Sequence, residues 1–518
     1  MSETKHTVED QNQTILGLIE TTAKRFPDKI AIQQTSGRKI TYAELINKAH
    51  KIGGSLAGRG FQAGDRALLL SKPGVDVVAW VLGVMYVGGV SVIADPGMGK
   101  KVFEERVKTA QPKWALVDDA IILLSAVPPL MALARRTTDI PDMPAVHGLK
   151  IFHHGNHPLL SFKYPDFRWL LRGSRPLAAA QQRQDQEAIV VFTSGTTSKP
   201  KGVVHTVQSL VATLALVDGI IEPEDDAVFY TNLPYFLLIG IGLGTTVVVE
   251  TKRSKPKTVL DDLRKYKASI IFGPPAEVLP LVEYCRQHQR QIPDQIKHIY
   301  LGSAPVYTSF LKKLESVLPA LTTITCIYGM TEILPIAVID GRKKLMTQVA
   351  GDLLGESVSG IKTKIATDGE LIVSGSHMCR QYLGDKVLSE IHTGDTVRFE
   401  GKQIVMVGRK KDMILRGDYN IYPSLYEPII ESIPGVRACA MVGIYDDNRA
   451  DEEVVVVVEV DGSRELNKEY LEKKLRSGAH SIDAHAYPDR ILLMQLPRSG
   501  RQLKVNKVVI KQLVGQDA

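Results

Sequence analysis

Along most of the chain, segments with a helical apolar period alternate with short strand-like apolar runs, and this alternation constrains the fold more than any other feature. Helical spacing is clearest at 14–26, 42–58 and 257–266, and strand-like runs fall at 66–70, 91–94, 188–193, 268–272, 299–301 and 322–328. Helices interleaved with short buried strands imply α/β layers built on mostly parallel sheets. From Gly369 the texture changes to short strands and turns, as in GELIVSG at 369–375 and QIVMVG at 403–408. A compact α+β tail follows, with strands expected at 439–444 and 453–460 and a helix at 467–479. The boundary is placed inside 408–412, which divides the chain into 1–410 and 411–518. The expected fold is therefore α/β: a large N-terminal domain of layered parallel sheets and helices with a small β-rich subdomain, then a small α+β domain.

Composition narrows the function classes. A length of 518 residues and an apolar fraction of 44% can fill more than one core. Lys plus Arg number 64 against 57 acidic residues, an excess of seven spread along the chain rather than gathered into a stripe. That suits an anionic small ligand such as a nucleotide and argues against nucleic acid. Cys285, Cys326, Cys379 and Cys439 stand far apart with no CxxC pair, which fits a reducing compartment and neither a zinc site nor a disulfide framework. The first twelve residues lack the apolar core of a signal peptide, and the apolar runs at 120–134 and 233–249 are short or broken by glycine and proline. The cytoplasm is the expected compartment, with no integral membrane segment; oligomeric state is open.

The densest chemical signal is VVFTSGTTSKPKG at 190–202, which opens where a strand is expected to end near Thr193. Thr193, Ser194 and Thr196 surround Gly195, and Thr197 and Ser198 follow. Small residues let backbone N–H groups approach a polyphosphate, hydroxyls add donors, and Lys201 supplies a mobile positive charge. The bland alternative is a Ser/Thr-rich turn. The run lacks the GKS or GKT ending of a Walker loop. Its order, hydroxyls first and Pro200-Lys201-Gly202 last, resembles the adenylate-forming superfamily of acyl-CoA synthetases, peptide-synthetase adenylation domains and firefly-type luciferases. GSAP at 302–305, YGMTE at 328–332, TGD at 393–395 and GRKKDMILRGDYNIYP at 408–423 then follow in that superfamily's order. From ITYAEL at 40–45 to the C-terminal lysines, the resemblance covers nearly the whole chain.

The resemblance implies roles for matching residues. Thr193, Ser194, Gly195, Thr196, Thr197 and Lys201 would handle the β- and γ-phosphates of ATP. Tyr328, beside Gly329, would stack on adenine opposite Gly302, Ser303, Ala304 and Pro305, and Thr331 would reach the α-phosphate. Glu332 is the expected Mg²⁺ ligand, because that ion takes hard oxygen donors, commonly one or two carboxylates plus phosphate oxygens. Asp395 would accept from the ribose hydroxyls with Arg409 nearby on ribose or phosphate; otherwise it is a turn aspartate. The family's catalytic lysine comes from a C-terminal stretch, here LPRSGRQLKVNK at 496–507. Lys504 is the best match and Lys507 stands in reserve, since Pro497 to Lys504 is one residue longer than the commonest spacing and Leu503 replaces a usual glycine. Lys411 occupies the hinge position, and the domain from 411 onward, which carries this lysine, would swing between two half-reactions while 1–410 binds ATP and the acyl group.

The acyl pocket is expected to be lined by Tyr235, Phe236, Ile239, Gly240, Phe272, Gly273 and Ile333, although 237–243 also reads as core. These stretches lack the acidic residue that would pair an amino acid's ammonium, so a fatty or other apolar carboxylic acid is the expected substrate. DPGMGKK at 95–101, YFLLIGIGLGTT at 235–246 and TEILPIAV at 331–338 resemble olefin-pathway β-lactone synthetases and their acyl-CoA-ligase-like relatives. Ser198 stands at a common glycine of the phosphate loop. Asp418 follows Gly417 where acyl-CoA synthetases usually carry a second glycine, in the loop lining the thiol's approach; it either obstructs a pantetheine arm or is only a turn aspartate. The leading expectation is an AMP-forming acid–thiol ligase using ATP, Mg²⁺ and coenzyme A. The alternatives are closure of a 3-hydroxy fatty acid to a β-lactone without thiol, transfer to an acyl carrier protein, and a non-catalytic nucleotide-binding regulator.

Overall fold

The computed structural model describes residues 13–94, 100–126, 148–155, 157–172, 183–192, 201–231, 233–250, 254–416, 419–446, 451–462, 466–499 and 504–515. Two sheets dominate the large N-terminal domain. One runs, strand by strand among the described residues, Gln381–Tyr382, Gly202–Thr206, Glu187–Phe192, Val90–Ile93, Arg66–Leu70, Trp114–Asp118 and Lys150–His154. Its last five members pair in parallel, whereas Gly202–Thr206 returns antiparallel against Glu187–Phe192.

The second sheet has a parallel half, Ile30–Gln34, Thr246–Val249, Val228–Tyr230, Ile270–Gly273, His298–Leu301 and Thr323–Met330. Here the chain turns back: Ile333–Asp340 pairs antiparallel with Thr323–Met330, and Asp352–Ser357, Gln403–Arg409, Ile391–Glu400, Glu370–Ser374 and Lys362–Ile365 continue from it. The β-rich region thus begins at residue 333, earlier than its texture suggested, and is continuous with the parallel sheet.

The largest buried cluster lies between the sheets, drawing Ile32 from one and Leu69 and Trp114 from the other around the helices Tyr42–Gly58 and Val75–Tyr86. Tyr42–Gly58 starts where its sequence dictates. The Thr41 hydroxyl accepts from Glu44 N (3.2 Å) and the Glu44 carboxylate accepts from Thr41 N (2.9 Å), so two end donors are satisfied reciprocally.

In the small C-terminal domain, Val436–Asp446 and Asp451–Val460 form an antiparallel pair, Arg490–Leu493 joins in parallel, and the helices Pro423–Glu431, Lys468–Arg476 and Lys507–Gly515 accompany them. A two-stranded ribbon, Arg498–Ser499 with Lys504–Val505, carries Lys504 opposite Ser499. The two domains touch: the Arg437 guanidinium lies 3.9 Å from Glu283, and the Ser424 hydroxyl donates to Val407 O (2.6 Å) across the connecting turn Lys410–Asp412.

One ion pair sits deep in the large domain. Lys344 Nζ meets Asp352 Oδ1 at 2.5 Å with the side chains 4% and 5% exposed. Removing the lysine leaves a buried carboxylate unpaired, so Lys344→Met is expected to destabilise the domain by about 3–5 kcal/mol. In urea unfolding the midpoint should drop sharply, and Lys344→Met combined with Asp352→Leu should recover much of the loss; an unchanged midpoint in the single variant contradicts the assignment.

Candidate active site

Backbone pairing brings three side chains from distant positions together. Gln381–Tyr382 runs antiparallel to Gly202–Thr206 with Tyr382 opposite Val203, and Leu383 N donates to Gly202 O (2.7 Å), which fixes Tyr382 beside Lys201. The Lys201 ammonium lies 4.6 Å above the centre of the Tyr382 ring. From the same ring the phenol donates to Glu332 Oε1 (3.0 Å). Glu332 is buried in the turn between Thr323–Met330 and Ile333–Asp340, where its carbonyl accepts from Cys379 N (2.7 Å). Burial raises the Glu332 carboxyl above its ordinary value, and its own backbone N–H, the Tyr382 phenol and the Lys201 charge pull the other way.

The preceding residue is held from behind. His205, buried on Gly202–Thr206, donates from Nε2 to Thr331 O (2.8 Å), leaving Nδ1 3.2 Å from Ser209 Oγ. Desolvation pushes His205 down to about 4, so it is neutral and its tautomer is set by the carbonyl. The Thr331 side chain is exposed. Local sequence gave no signal for Tyr382 or His205, because their partners lie 50 and 126 residues away.

A second group assembles across the Ile391–Glu400 and Gln403–Arg409 pair, where Asp395 stands opposite Arg409. Buried Asp395 accepts from the Tyr328 phenol at Oδ2 (2.7 Å) and lies 3.0 Å from Arg409 Nε at Oδ1. Burial and the Asp395 charge hold the phenol well above its ordinary range, and Asp395 raises the Arg409 guanidinium. The 302–305 segment passes close beside Tyr328's strand: a Cβ on Gly302 would lie 2.9 Å from Ile327 O, and Ser303 takes a left-handed φ of 64°. Gly329 is confined in the same way by Leu334 Cδ1 at 2.5 Å.

The C-terminal domain brings one lysine within electrostatic reach of this group. Lys504 is accessible to solvent yet enclosed by protein, as expected in a cleft between domains. Desolvation, with Arg409 and Lys411 nearby, lowers it to about 8, and Asp395 opposes the shift. Lys507, the reserve lysine, is engaged elsewhere: its Nζ lies 2.7 Å from Glu427 Oε1, which also accepts from Met441 N (2.8 Å).

Of the expected acyl-pocket residues, Tyr235, Phe236, Ile239 and Phe272 fall in one cluster, but Ile333 is fully buried in another with Ile336 and Leu371. Phe236 and Phe272 stack with centroids 3.5 Å apart and fill the space between them. Gly240 has no room for a side chain, since a Cβ would meet Val247 Cγ2 at 2.7 Å; at Gly273 the nearest atom is 3.6 Å away. Tyr235 and Ile239 also line a narrow apolar crevice with Leu210, Thr213 and Leu214.

Thr193, Ser194, Gly195, Thr196, Thr197, Ser198 and Asp418 lie outside the described residues. Among the described residues no group of three or more His, Cys, Asp or Glu could hold a metal ion, and no helix is long and apolar enough to cross a membrane. Glu332 is a hard oxygen donor beside a lysine, a donor set that fits one Mg²⁺ shared with phosphate oxygens.

Comparison with known proteins bears on this geometry. The family model described as "AMP-binding enzyme" matches residues 19–383. An olefin β-lactone synthetase of Xanthomonas campestris is 26% identical over 488 residues, covering 82% of this chain and 83% of that protein. A 2-succinylbenzoate–CoA ligase of Bacillus cereus is 24% identical, covering 94% and 96%. Among solved structures, the anthranilate CoA ligase AuaEII in complex with anthranoyl-AMP superposes with a TM-score of 0.84 at 17% identity, over 99% of both chains.

Proposed function

Because the chain belongs to the AMP-binding family of adenylate-forming enzymes, we propose that it activates a fatty or other apolar carboxylic acid with ATP and passes the acyl group to a thiol, coenzyme A. The observation that carries the reading is the convergence of Lys504 from the small domain on the Asp395–Arg409–Tyr328 group of the large one. In this reading Tyr328 and the 302–305 segment hold adenine, Asp395 exchanges its present partners for ribose hydroxyls, and Arg409 stays within reach of ribose or phosphate. The loop at 193–197 and Lys201 hold the β- and γ-phosphates.

The substrate carboxylate attacks the α-phosphorus and pyrophosphate leaves, while negative charge spreads over the phosphoryl oxygens. Lys504 meets that charge from the cleft and Thr331 offers its hydroxyl to the α-phosphate. Mg²⁺ held by Glu332 and the phosphates would neutralise charge on the departing pyrophosphate. Domain division at 410/411 with Lys411 as hinge lets the 411–518 domain withdraw Lys504 before the acceptor arrives.

The ammonium form of Lys504 is the one that meets this charge. Since its environment lowers it to about 8, the active form prevails below that pH and is lost above it. The kcat/KM for adenylation, which reports the free enzyme, is expected to fall about tenfold per pH unit on the alkaline side. In Lys504→Arg, whose cation does not deprotonate there, that limb should vanish; an unchanged limb would assign it to another group.

A second reading concerns the acceptor. The likeness to olefin β-lactone synthetase supports an alternative, closure of a 3-hydroxyacyl adenylate to a β-lactone without thiol. Mass spectrometry of products from ATP with fatty and 3-hydroxy fatty acids, with and without coenzyme A, separates the two. Thioester formation in step with AMP supports the ligase; a thiol-independent product one water lighter than the acid, confined to 3-hydroxy acids, overturns it. AMP release that requires an acyl carrier protein would move the acceptor there.

A further inference from the structure

We infer that Tyr382 is the positioning residue that keeps Lys201 and Glu332 apart and separately aimed, so that the phosphate-binding cation and the metal-binding carboxylate remain available to ATP; this rests on the nucleotide-site reading above.

A lysine and a buried glutamate at close range ordinarily collapse into an ion pair, since each is otherwise the other's cheapest neutralisation. Here their charges influence one another, yet among the described residues neither forms an ion pair. The Tyr382 side chain stands between them. Its ring face takes the Lys201 ammonium at 4.6 Å, and its phenol donates to Glu332 Oε1 at 3.0 Å.

The two contacts have different consequences. A cation over an aromatic face is held more weakly than one paired with phosphate, so Lys201 is parked there and is free to move when a triphosphate arrives. The phenol contact occupies one carboxylate oxygen and fixes the rotamer of Glu332, leaving the other oxygen for a metal. Hydrogen bonds of this kind to metal ligands commonly govern affinity. Tyr382 cannot drift, because its backbone is pinned to the strand that follows Lys201 by Arg380 N donating to Val204 O (2.9 Å) and Leu383 N to Gly202 O (2.7 Å).

The two functions of the side chain can be removed in turn. Tyr382→Phe keeps the ring under Lys201 and deletes the phenol; Tyr382→Leu deletes both. Calorimetric binding of α,β-methylene-ATP to the full-length protein, once with Mg²⁺ and once with EDTA, reads the two effects without turnover. In Tyr382→Phe, metal-free affinity should stay within about twofold of the wild type while the gain on adding Mg²⁺ shrinks about tenfold. In Tyr382→Leu the metal-free affinity should fall as well, about tenfold, as Lys201 pairs with Glu332. A full Mg²⁺ gain in Tyr382→Phe overturns the proposal, as do phenylalanine and leucine variants with the same metal-free affinity. A wild-type protein that binds the analogue with no Mg²⁺ gain indicts the nucleotide-site reading itself.

Discussion

Replacing Lys504 with alanine is expected to slow acid-dependent pyrophosphate release by about 100-fold or more while ATP binding stays within a few-fold of the wild type. The asymmetry follows from where the lysine sits. It lies beside Arg409 and Lys411, and Asp395 keeps Arg409 and the Tyr328 phenol as partners, so removing the lysine leaves no buried partner unpaired and relieves some repulsion in the ground state. What disappears is a cation facing charge that grows only as the α-phosphorus is attacked. Lys507→Met should behave in the opposite way. It strips the partner from Glu427, a buried carboxylate, and so lowers the unfolding midpoint of the small domain with little direct effect on the chemical step. If Lys507→Met abolishes adenylation at unchanged stability and Lys504→Ala does not, the role passes to Lys507.

The second large effect is expected at Glu332. Glu332→Gln keeps the shape and an oxygen that accepts from Tyr382, but removes the charge that would hold Mg²⁺. Turnover should fall about 10- to 100-fold at saturating substrates, and the Mg²⁺ concentration for half-maximal rate should rise by a similar factor. Titrating Mg²⁺ against initial rate checks both. Reduced turnover with an unaltered Mg²⁺ requirement would mean that Glu332 shapes the hairpin turn without serving the metal.

The parts of the fold legible in the sequence are those fixed by local chemistry. Tyr42–Gly58 and Arg66–Leu70 lie where the apolar period puts them, and the other helices and strands expected from the sequence lie within a few residues of their stated ranges. Less legible was the continuity of the two halves of the second sheet. It depends on the hairpin between Thr323–Met330 and Ile333–Asp340, whose turn holds Thr331 and Glu332 and looks in sequence only like a motif. Individual site residues could be named one by one, but not the bonds among them. That the Tyr328 phenol is spent on Asp395, that His205 holds the Thr331 carbonyl, and that Tyr382 bridges Lys201 and Glu332 are all consequences of long-range pairing. The expected acyl lining was the least well resolved by sequence, because apolar residues that line a pocket and those that fill a core have the same pattern. Ile333 shows the difference: next to Glu332 in the chain, it packs into a cluster apart from Phe236 and Phe272.

Reversal of acyl-adenylate formation tests, without any assumption about the acceptor, whether this chain joins a carboxylic acid to AMP. With ATP, Mg²⁺, labelled pyrophosphate and a panel of medium- and long-chain acids, with and without a 3-hydroxyl group, the wild type should return label to ATP only when an acid it accepts is present, and Lys504→Ala should not. Exchange absent with every acid, from folded protein that binds ATP, would rule out adenylation of these acids and favour a nucleotide-binding regulator.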